Sequence, residues 1–317
     1  MASPAAAAPS GRVALAVAVA VVAVTALALL RWRRGPEAAR AALAARLRER
    51  YHAAAERRAA EPAPAARAVP TPLLRPDSAA LERLGLEQGA SWAQVLELLT
   101  RLRREGDASA RVVQLIRHGE GLHNVAEREL GSHYWETVEA LTDKYFDAPL
   151  NDVGRAQCAA LNAHFLAARA RGLPDPDAII VSPLTRALET AKLSLAHLWG
   201  KVPVYAVEMS RERMGKNQCD RRKPVSQLRR EFPEVDFDSF MENEHDVWFT
   251  PARETDEAIQ RRVRLFYGWL KHAPWDHVAV VGHSSYMAAT LKDLGHKYHW
   301  PANCECVSVL VSHDIAA

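Results

Sequence analysis

The chain predicts an α/β fold, a three-layer α/β/α sandwich around a mostly parallel central sheet, preceded by an N-terminal transmembrane helix and a helical, Pro-rich linker. Three observations lead there. From Arg111 onward, short β-branched runs alternate with amphipathic helical stretches, the pattern of a sheet with helices on both faces. The composition, 49% hydrophobic, 25% charged and 7% aromatic over 317 residues, suits an ordinary globular protein and excludes a disordered or collagen-like one. Finally, residues 13–30 form one uncharged run. Four Cys are too few for a disulfide-stapled scaffold.

That run holds seven Ala, six Val, four Leu and Thr25. As a helix it measures about 27 Å at about 1.5 Å per residue, close to the ~30 Å hydrocarbon core of a bilayer. Only Arg12 precedes it, whereas Arg31, Arg33 and Arg34 follow directly, with Arg40, Arg46, Arg48 and Arg50 behind them. The positive-inside rule then puts the C-terminal side in the cytoplasm. Residues 1–34 are therefore expected to be a membrane anchor, and the chain a single-pass membrane protein with a cytoplasmic catalytic domain. The rival is a cleaved signal peptide with Ala26 and Ala28 at the cleavage site, disfavoured by the Arg cluster where the mature chain would begin. Residues 1–70 carry eleven Arg against four Glu while the whole chain is only +3, so residues 71–317 are mildly acidic and lack any global attraction for nucleic acid.

Residues 35–76 read as a basic helical stalk with a thin apolar stripe at Leu43, Leu47 and Tyr51, then a spacer stiffened by Pro62, Pro64, Pro70, Pro72 and Pro76. Residues 77–110 form an accessory helical segment. There Ser91 and Gln94 make a capping box for a helix with Trp92, Val95, Leu96, Leu99 and Leu102 on one face, ended by Gly106. In residues 111–317, strands are predicted at Val112–Ile116, Ala178–Val181, Val202–Val207, His277–Val281 and Val307–Val311. Helices are predicted at Val153–Arg171, Leu184–Trp199, Glu254–His272 and Tyr286–Leu294.

Ligands of such sheets sit beyond the carboxyl ends of the strands, so the polar residues after each strand carry the functional signal. The first strand is followed by Arg117, His118, Gly119, Glu120, His123 and Asn124, the second by Ser182, Thr185 and Arg186, the fourth by Gly282, His283, Ser284 and Ser285. An imidazole at a strand end is a nucleophile when a neighbour fixes its tautomer, and guanidiniums beside it are donors for phosphate. His123, His133, His197 and His245 read as surface or packing residues, and Arg261, Arg262 and Arg264 as a solvated helix face. His296, His299, Cys304 and Cys306 would be the alternative of a zinc site, but Cys-x-Cys is not a usual structural zinc spacing, and no metal is expected.

The Arg-His-Gly-Glu run with Asn124, the Ser-Pro-Leu-Thr-Arg turn at 182–186 and the Gly-His-Ser run at 282–284 resemble the histidine phosphatase superfamily, the phosphoglycerate mutase-like family, over about Arg111 to Ser312. By that resemblance His118 is the nucleophile, and Arg117, Arg186, His283 and Asn124 surround the transferred phosphoryl group. Glu212 best matches the family's proton donor, with Glu208 second. The stretch Cys219, Asp220, Arg221, Arg222 is similar to one in plant, algal and fungal members, which makes Arg211, Arg221 and Arg222 candidates for holding an anionic substrate. The resemblance implies metal-independent phosphomonoester hydrolysis through phosphohistidine, without a cofactor, on a small-molecule or protein substrate. The alternatives are a phosphoglycerate mutase and an inactive phospho-ligand-binding module.

Overall fold

The apolar runs become the strands of one sheet, and their register aligns the residues that follow them. The computed structural model describes residues 45–46, 48–53, 66–69, 71, 73–74 and 83–313. The chain divides into units 1–46 and 47–317, and the described structure lies almost wholly in the second. In order it contains β1 (Arg67–Ala68), α1 (Trp92–Arg104), β2 (Arg111–Arg117), α2 (Leu122–Leu130), α3 (Ser132–Thr137), α4 (Asp152–Ala170), β3 (Ala178–Val181), α5 (Thr185–Ser194), β4 (Val204–Ala206), α6 (Val225–Glu231), α7 (Asp256–Leu270), β5 (His277–Gly282), α8 (Ser284–Asp293) and β6 (Cys306–Ser312).

The strand order is β1-β6-β2-β5-β3-β4. The four strands from β2 to β4 are parallel, whereas β6 runs antiparallel to β2 and β1 antiparallel to β6, so the sheet is mixed. In register, Arg117 stands opposite Gly282 and Val181 opposite Val281. His118, Ser182 and His283, each the next residue along, are thereby brought to one edge by backbone pairing alone.

Strands β2, β5 and β6 are buried on both faces, as expected of near-continuous apolar runs. Val112, Ile116, Ile179, Val181, Ala279 and Val281 share a cluster with Trp92, Val95 and Leu99 of α1, Leu161 and Phe165 of α4, and Leu188 of α5. Each large side chain there contributes about 1.5–3 kcal/mol by leaving water. The alternate residues Val113, Leu115, Ile180, Val278 and Val280 point to the other face and are buried too. Helix α1 begins as its capping box predicts: the Ser91 N–H donates to Gln94 Oε1 (2.9 Å) and the Gln94 N–H to Ser91 Oγ (3.4 Å).

The extended backbone dictated by the Pro-rich run is held against the sheet, with Arg67 opposite Ser312, Ala68 opposite Val311, and Leu74 bridging to Leu86. Upstream, 48–53 is helical. There the structure departs from a solvated stalk: Tyr51 is buried, edge-on to Phe240 and Trp269 at 5.2 and 5.6 Å between ring centroids. An aromatic ring removed from water outweighs the polarity of its neighbours.

The expected single-pass anchor with a cytoplasmic catalytic domain is corrected. Residues 13–30 lie outside the described residues, and among the described residues no helix is long and apolar enough to cross a membrane. Helix α4, at 19 residues, has the length but carries Asp152, Arg155 and Arg169, each costly in hydrocarbon.

Helix α4 backs directly onto the turn after His118. A Cβ at Gly154 would lie 2.2 Å from the Glu120 carbonyl oxygen, and one at Gly119 would lie 2.7 Å from the Gly154 oxygen. Both obstacles are backbone, so neither yields cheaply. Gly154→Ala is expected to destabilise the protein by about 1–3 kcal/mol. An unchanged urea midpoint would show that the two segments can separate.

Candidate active site

His118 leaves the end of β2 and is 1% exposed. Its Nδ1 lies 2.7 Å from the Gly119 carbonyl oxygen, and its Nε2 lies 3.3 Å from Nε of Arg186. A carbonyl can only accept and a guanidinium can only donate. The ring therefore carries its proton on Nδ1 and presents a lone pair at Nε2. Burial first, then Arg186 and Arg117, holds its pKa well below the ordinary imidazole value, so Nε2 stays unprotonated.

Arg186 comes from the first turn of α5 and is fully buried. Its Nη1 donates to the Cys219 carbonyl (2.6 Å) and its Nη2 to Asp220 Oδ1 (2.8 Å). Asp220 also accepts from Arg253 Nη1 at 2.6 Å, so one carboxylate fixes two guanidiniums. Burial alone would raise that carboxyl, but Arg253 and Arg186 overturn this and hold it below its ordinary value. Arg117 donates through Nη1 to the Pro301 carbonyl (2.8 Å), leaving Nε buried without a partner. Its own pKa is lowered, chiefly by burial.

His283 follows β5, its ring centroid 5.0 Å from that of His118 and its Nε2 2.7 Å from Ser182 Oγ. Burial first and Arg186 next keep it neutral as well. Glu212 accepts from the Arg213 N–H at Oε1 (2.7 Å) and, more loosely, from Ser284 Oγ (3.3 Å) and the Ser285 N–H (3.4 Å) at Oε2. The Asn124 Oδ1 accepts from the Gly121 N–H at 3.0 Å, which ties it to the start of α2. Arg117, His118, Asn124, Arg186 and Glu212 all line one cavity of about 500 Å³. It places a lone pair, donors for an anion and a carboxyl around one space.

Several expected residues go elsewhere. Glu208 is buried between Arg211 (3.0 Å) and Arg222 (2.6 Å) and does not line the cavity. Arg211 and Arg222 are spent on that carboxylate, on Asp246 and on loop carbonyls, while Arg221 lies over the rings of Phe146 and Phe249. None of the three reaches the cavity, because internal ion pairs and ring contacts claim them. Arg262, expected on a solvated face, is buried and donates to the carbonyls of Met209, Arg211 and Glu212, bracing the loop that carries Glu212. His296, His299, Cys304 and Cys306 are not gathered: Cys304 Sγ lies 3.4 Å from Cys158 Sγ, and His299 Nε2 lies 2.6 Å from Glu305 Oε1.

The cavity is also lined by His123, expected as a surface or packing residue, and by residues to which the strand-end pattern assigns no role, among them Trp135, Arg213, Lys216, Arg253 and Trp300. They come from loops and short helices with no periodicity to mark an inward face. His123 alone carries a trace in the sequence, since with Ala126 it makes the buried i, i+3 face of α2.

The buried imidazoles, three of them at or beside the site and His277 at the far end of β5, set a pH dependence for folding. His118, His123 and His283 are held well below their ordinary pKa, chiefly by burial, and buried His277 is pushed down to about 4. An unfolded imidazole titrates near about 6.5. Below that pH the unfolded chain binds protons that the folded chain refuses. Stability is therefore complete above about 6.5 and is lost progressively as the pH falls toward the folded values. The Asp177 carboxyl, pushed up to about 6 chiefly by burial, works in the opposite direction, but four rings outnumber it, so the urea midpoint should be flat from about pH 7 to 8 and fall between about 6.5 and 4; a midpoint rising on acidification would show that the rings do not outweigh that carboxyl.

Comparison with known proteins bears on the same residues. The model of the histidine phosphatase superfamily (branch 1) matches residues 113–310. A phosphoglycerate mutase-like protein of Arabidopsis thaliana is 31% identical over 212 residues, covering 58% of this chain and 75% of that protein. A second from that plant, phosphoglycerate mutase-like protein 1, is 29% identical over 238 residues, covering 63% and 81%. Among solved structures, the ecdysone phosphate phosphatase of Bombix mori in complex with tungstate aligns with a TM-score of 0.44 at 17% identity, covering 62% of this chain and 88% of that one. The family match begins in β2 and ends in β6, enclosing every strand-end residue of the cavity, and the chain belongs to the histidine phosphatase superfamily.

Proposed function

We propose that the protein hydrolyses phosphate monoesters through a phosphohistidine formed on Nε2 of His118. The observation that carries this is the tautomer: the Gly119 carbonyl accepts a hydrogen bond from Nδ1–H, leaving the Nε2 lone pair on a cavity lined by Arg117 and Arg186. Nε2 attacks phosphorus while the ester P–O bond breaks, and the proton needed by the leaving alkoxide comes from the Glu212 carboxyl. Guanidinium N–H groups offset the charge on the equatorial oxygens; Arg186 is already positioned by Asp220 and Arg117 by the Pro301 carbonyl, so little reorganisation is needed. Water then attacks the phosphohistidine, Glu212 takes its proton back, and His118 is regenerated with release of inorganic phosphate.

A mutase is favoured by the names of the Arabidopsis relatives and by Arg213, Lys216 and Arg253, cations on the cavity beyond the two facing the phosphoryl group. One assay on the full-length chain separates the readings. Hydrolysis of p-nitrophenyl phosphate with release of phosphate from 3-phosphoglycerate is the expected result. Isomerisation of 3-phosphoglycerate without phosphate release would establish the mutase, and neither reaction would leave a binding module.

A further inference from the structure

Beside His118 the cavity is lined by a second imidazole. His123 stands in the first turn of α2, 7% exposed, its ring centroid 5.5 Å from that of His118 and tilted by 45°. It lines the same space as Arg117 and Arg186. Its Nδ1 is buried without a hydrogen-bond partner, and Gly121 closes over that edge: a Cβ added there would come within 2.7 Å of Nδ1. The edge left to face the cavity carries Nε2. His118 is engaged at both nitrogens; His283 has an idle Nδ1 too but does not line the cavity, so among the cavity's imidazoles His123 is the one with an idle polar edge. A buried ring nitrogen without a partner is costly unless something else offsets it. The fold nevertheless fixes the ring there, through the Asn124 bond to Gly121 and the Ala126 packing on the same helical face.

We propose that His123 is an imidazole of the phosphate cradle, which takes up a proton at Nε2 when a dianionic phosphate arrives and donates that N–H to an oxygen of the bound phosphoryl group. This rests on the phosphoryl-binding part of the reading above, and not on phosphohistidine formation. The protein's own groups keep the ring neutral: burial acts first, Arg186 and Arg117 add to it, and Asp220 opposes them. His118 lies against it, and Glu127 and Glu212 stand on the same cavity. A dianion within hydrogen-bond reach reverses that balance, because it favours the charged ring more than the two guanidiniums disfavour it. Phosphate binding and proton binding are then linked, and each strengthens the other.

The test is calorimetric titration of the full-length protein with inorganic phosphate at about pH 7.5, in buffers of different ionisation enthalpy, which counts protons taken up. The wild-type protein should take up a proton on binding. His123→Gln keeps an N–H donor but cannot titrate, so it should lose the uptake while retaining part of the affinity. His123→Ala should lose both, with phosphate affinity down about tenfold. The tenfold loss should shrink toward high pH. Thermal melts establish that each variant is folded, and two variants of different size keep the result readable if one is not. Unchanged proton uptake in folded His123→Gln would place the proton elsewhere and overturn the proposal, as would unchanged affinity in His123→Ala. Phosphate binding by a wild-type protein that hydrolyses nothing would sink phosphohistidine turnover but leave this inference standing; no phosphate binding at all would sink both.

Discussion

Replacing His118 with alanine is expected to lower kcat for p-nitrophenyl phosphate by at least about 1000-fold, about 4 kcal/mol of transition-state stabilisation. The effect should be chemical and not a consequence of unfolding. The backbone of residue 118 keeps its bonds in the variant: its N–H donates to Gly282 (2.9 Å), and its carbonyl accepts from Asn303 Nδ2 (3.0 Å) and the Cys304 N–H (3.2 Å). Arg186 loses its bond to the imidazole but keeps Cys219 and Asp220, so the anion-binding side of the cavity survives. The melting temperature should therefore move little, and phosphate should still bind. Rapid quenching with ³²P-labelled substrate should trap an acid-labile, base-stable phosphoprotein in the wild type and none in His118→Ala. A folded variant retaining a tenth of the activity would remove His118 from the reaction.

The residues at stake in that experiment are legible in the sequence itself. Arg117, His118, Arg186 and His283 follow β-branched runs closely, and parallel pairing in register carries strand ends to one edge whatever lies between them; His283 thereby stands beside His118 without lining the cavity. The rest of the site depends on pairs distant in the chain. Asp220 clamps both Arg186 and Arg253, a partnership across 34 and 33 residues that no periodicity encodes. Glu208, Arg211 and Arg222 have the residue types of a proton donor and substrate binders yet form a buried ionic network, because a charged residue type does not reveal whether its partner is a ligand or a neighbouring loop. Arg262 is different: it lies on the i, i+3, i+4, i+7 stripe begun by Ile259 and continued by Val263 and Phe266, so the helical period itself turns its guanidinium inward. The β6 strand is legible but its direction is not, since an apolar run looks the same read either way across a sheet.

Glu212→Gln is expected to affect the two halves of the reaction differently, and this separates Glu212 from Glu208, four residues away. With an alkyl ester such as glycerol phosphate, the leaving alkoxide needs a proton and glutamine has none to give. Turnover should fall by about 100- to 10,000-fold. With p-nitrophenyl phosphate the leaving phenolate is stable unprotonated, so formation of the phosphohistidine should be nearly normal. Its hydrolysis still lacks the base that activates water. The result should be a burst of nitrophenol equal to the amount of enzyme, followed by slow turnover and an accumulated phosphoprotein. Glutamine keeps the oxygen that accepts from the Arg213 N–H at 2.7 Å, so the loop braced by Arg262 should hold its shape. Glu208→Gln should instead weaken the fold, since Arg211 and Arg222 lose the carboxylate they share in a buried setting, and should give no burst. Equal losses on both substrates in Glu212→Gln, with no burst, would mean that Glu212 only positions its neighbours and that another group moves the proton.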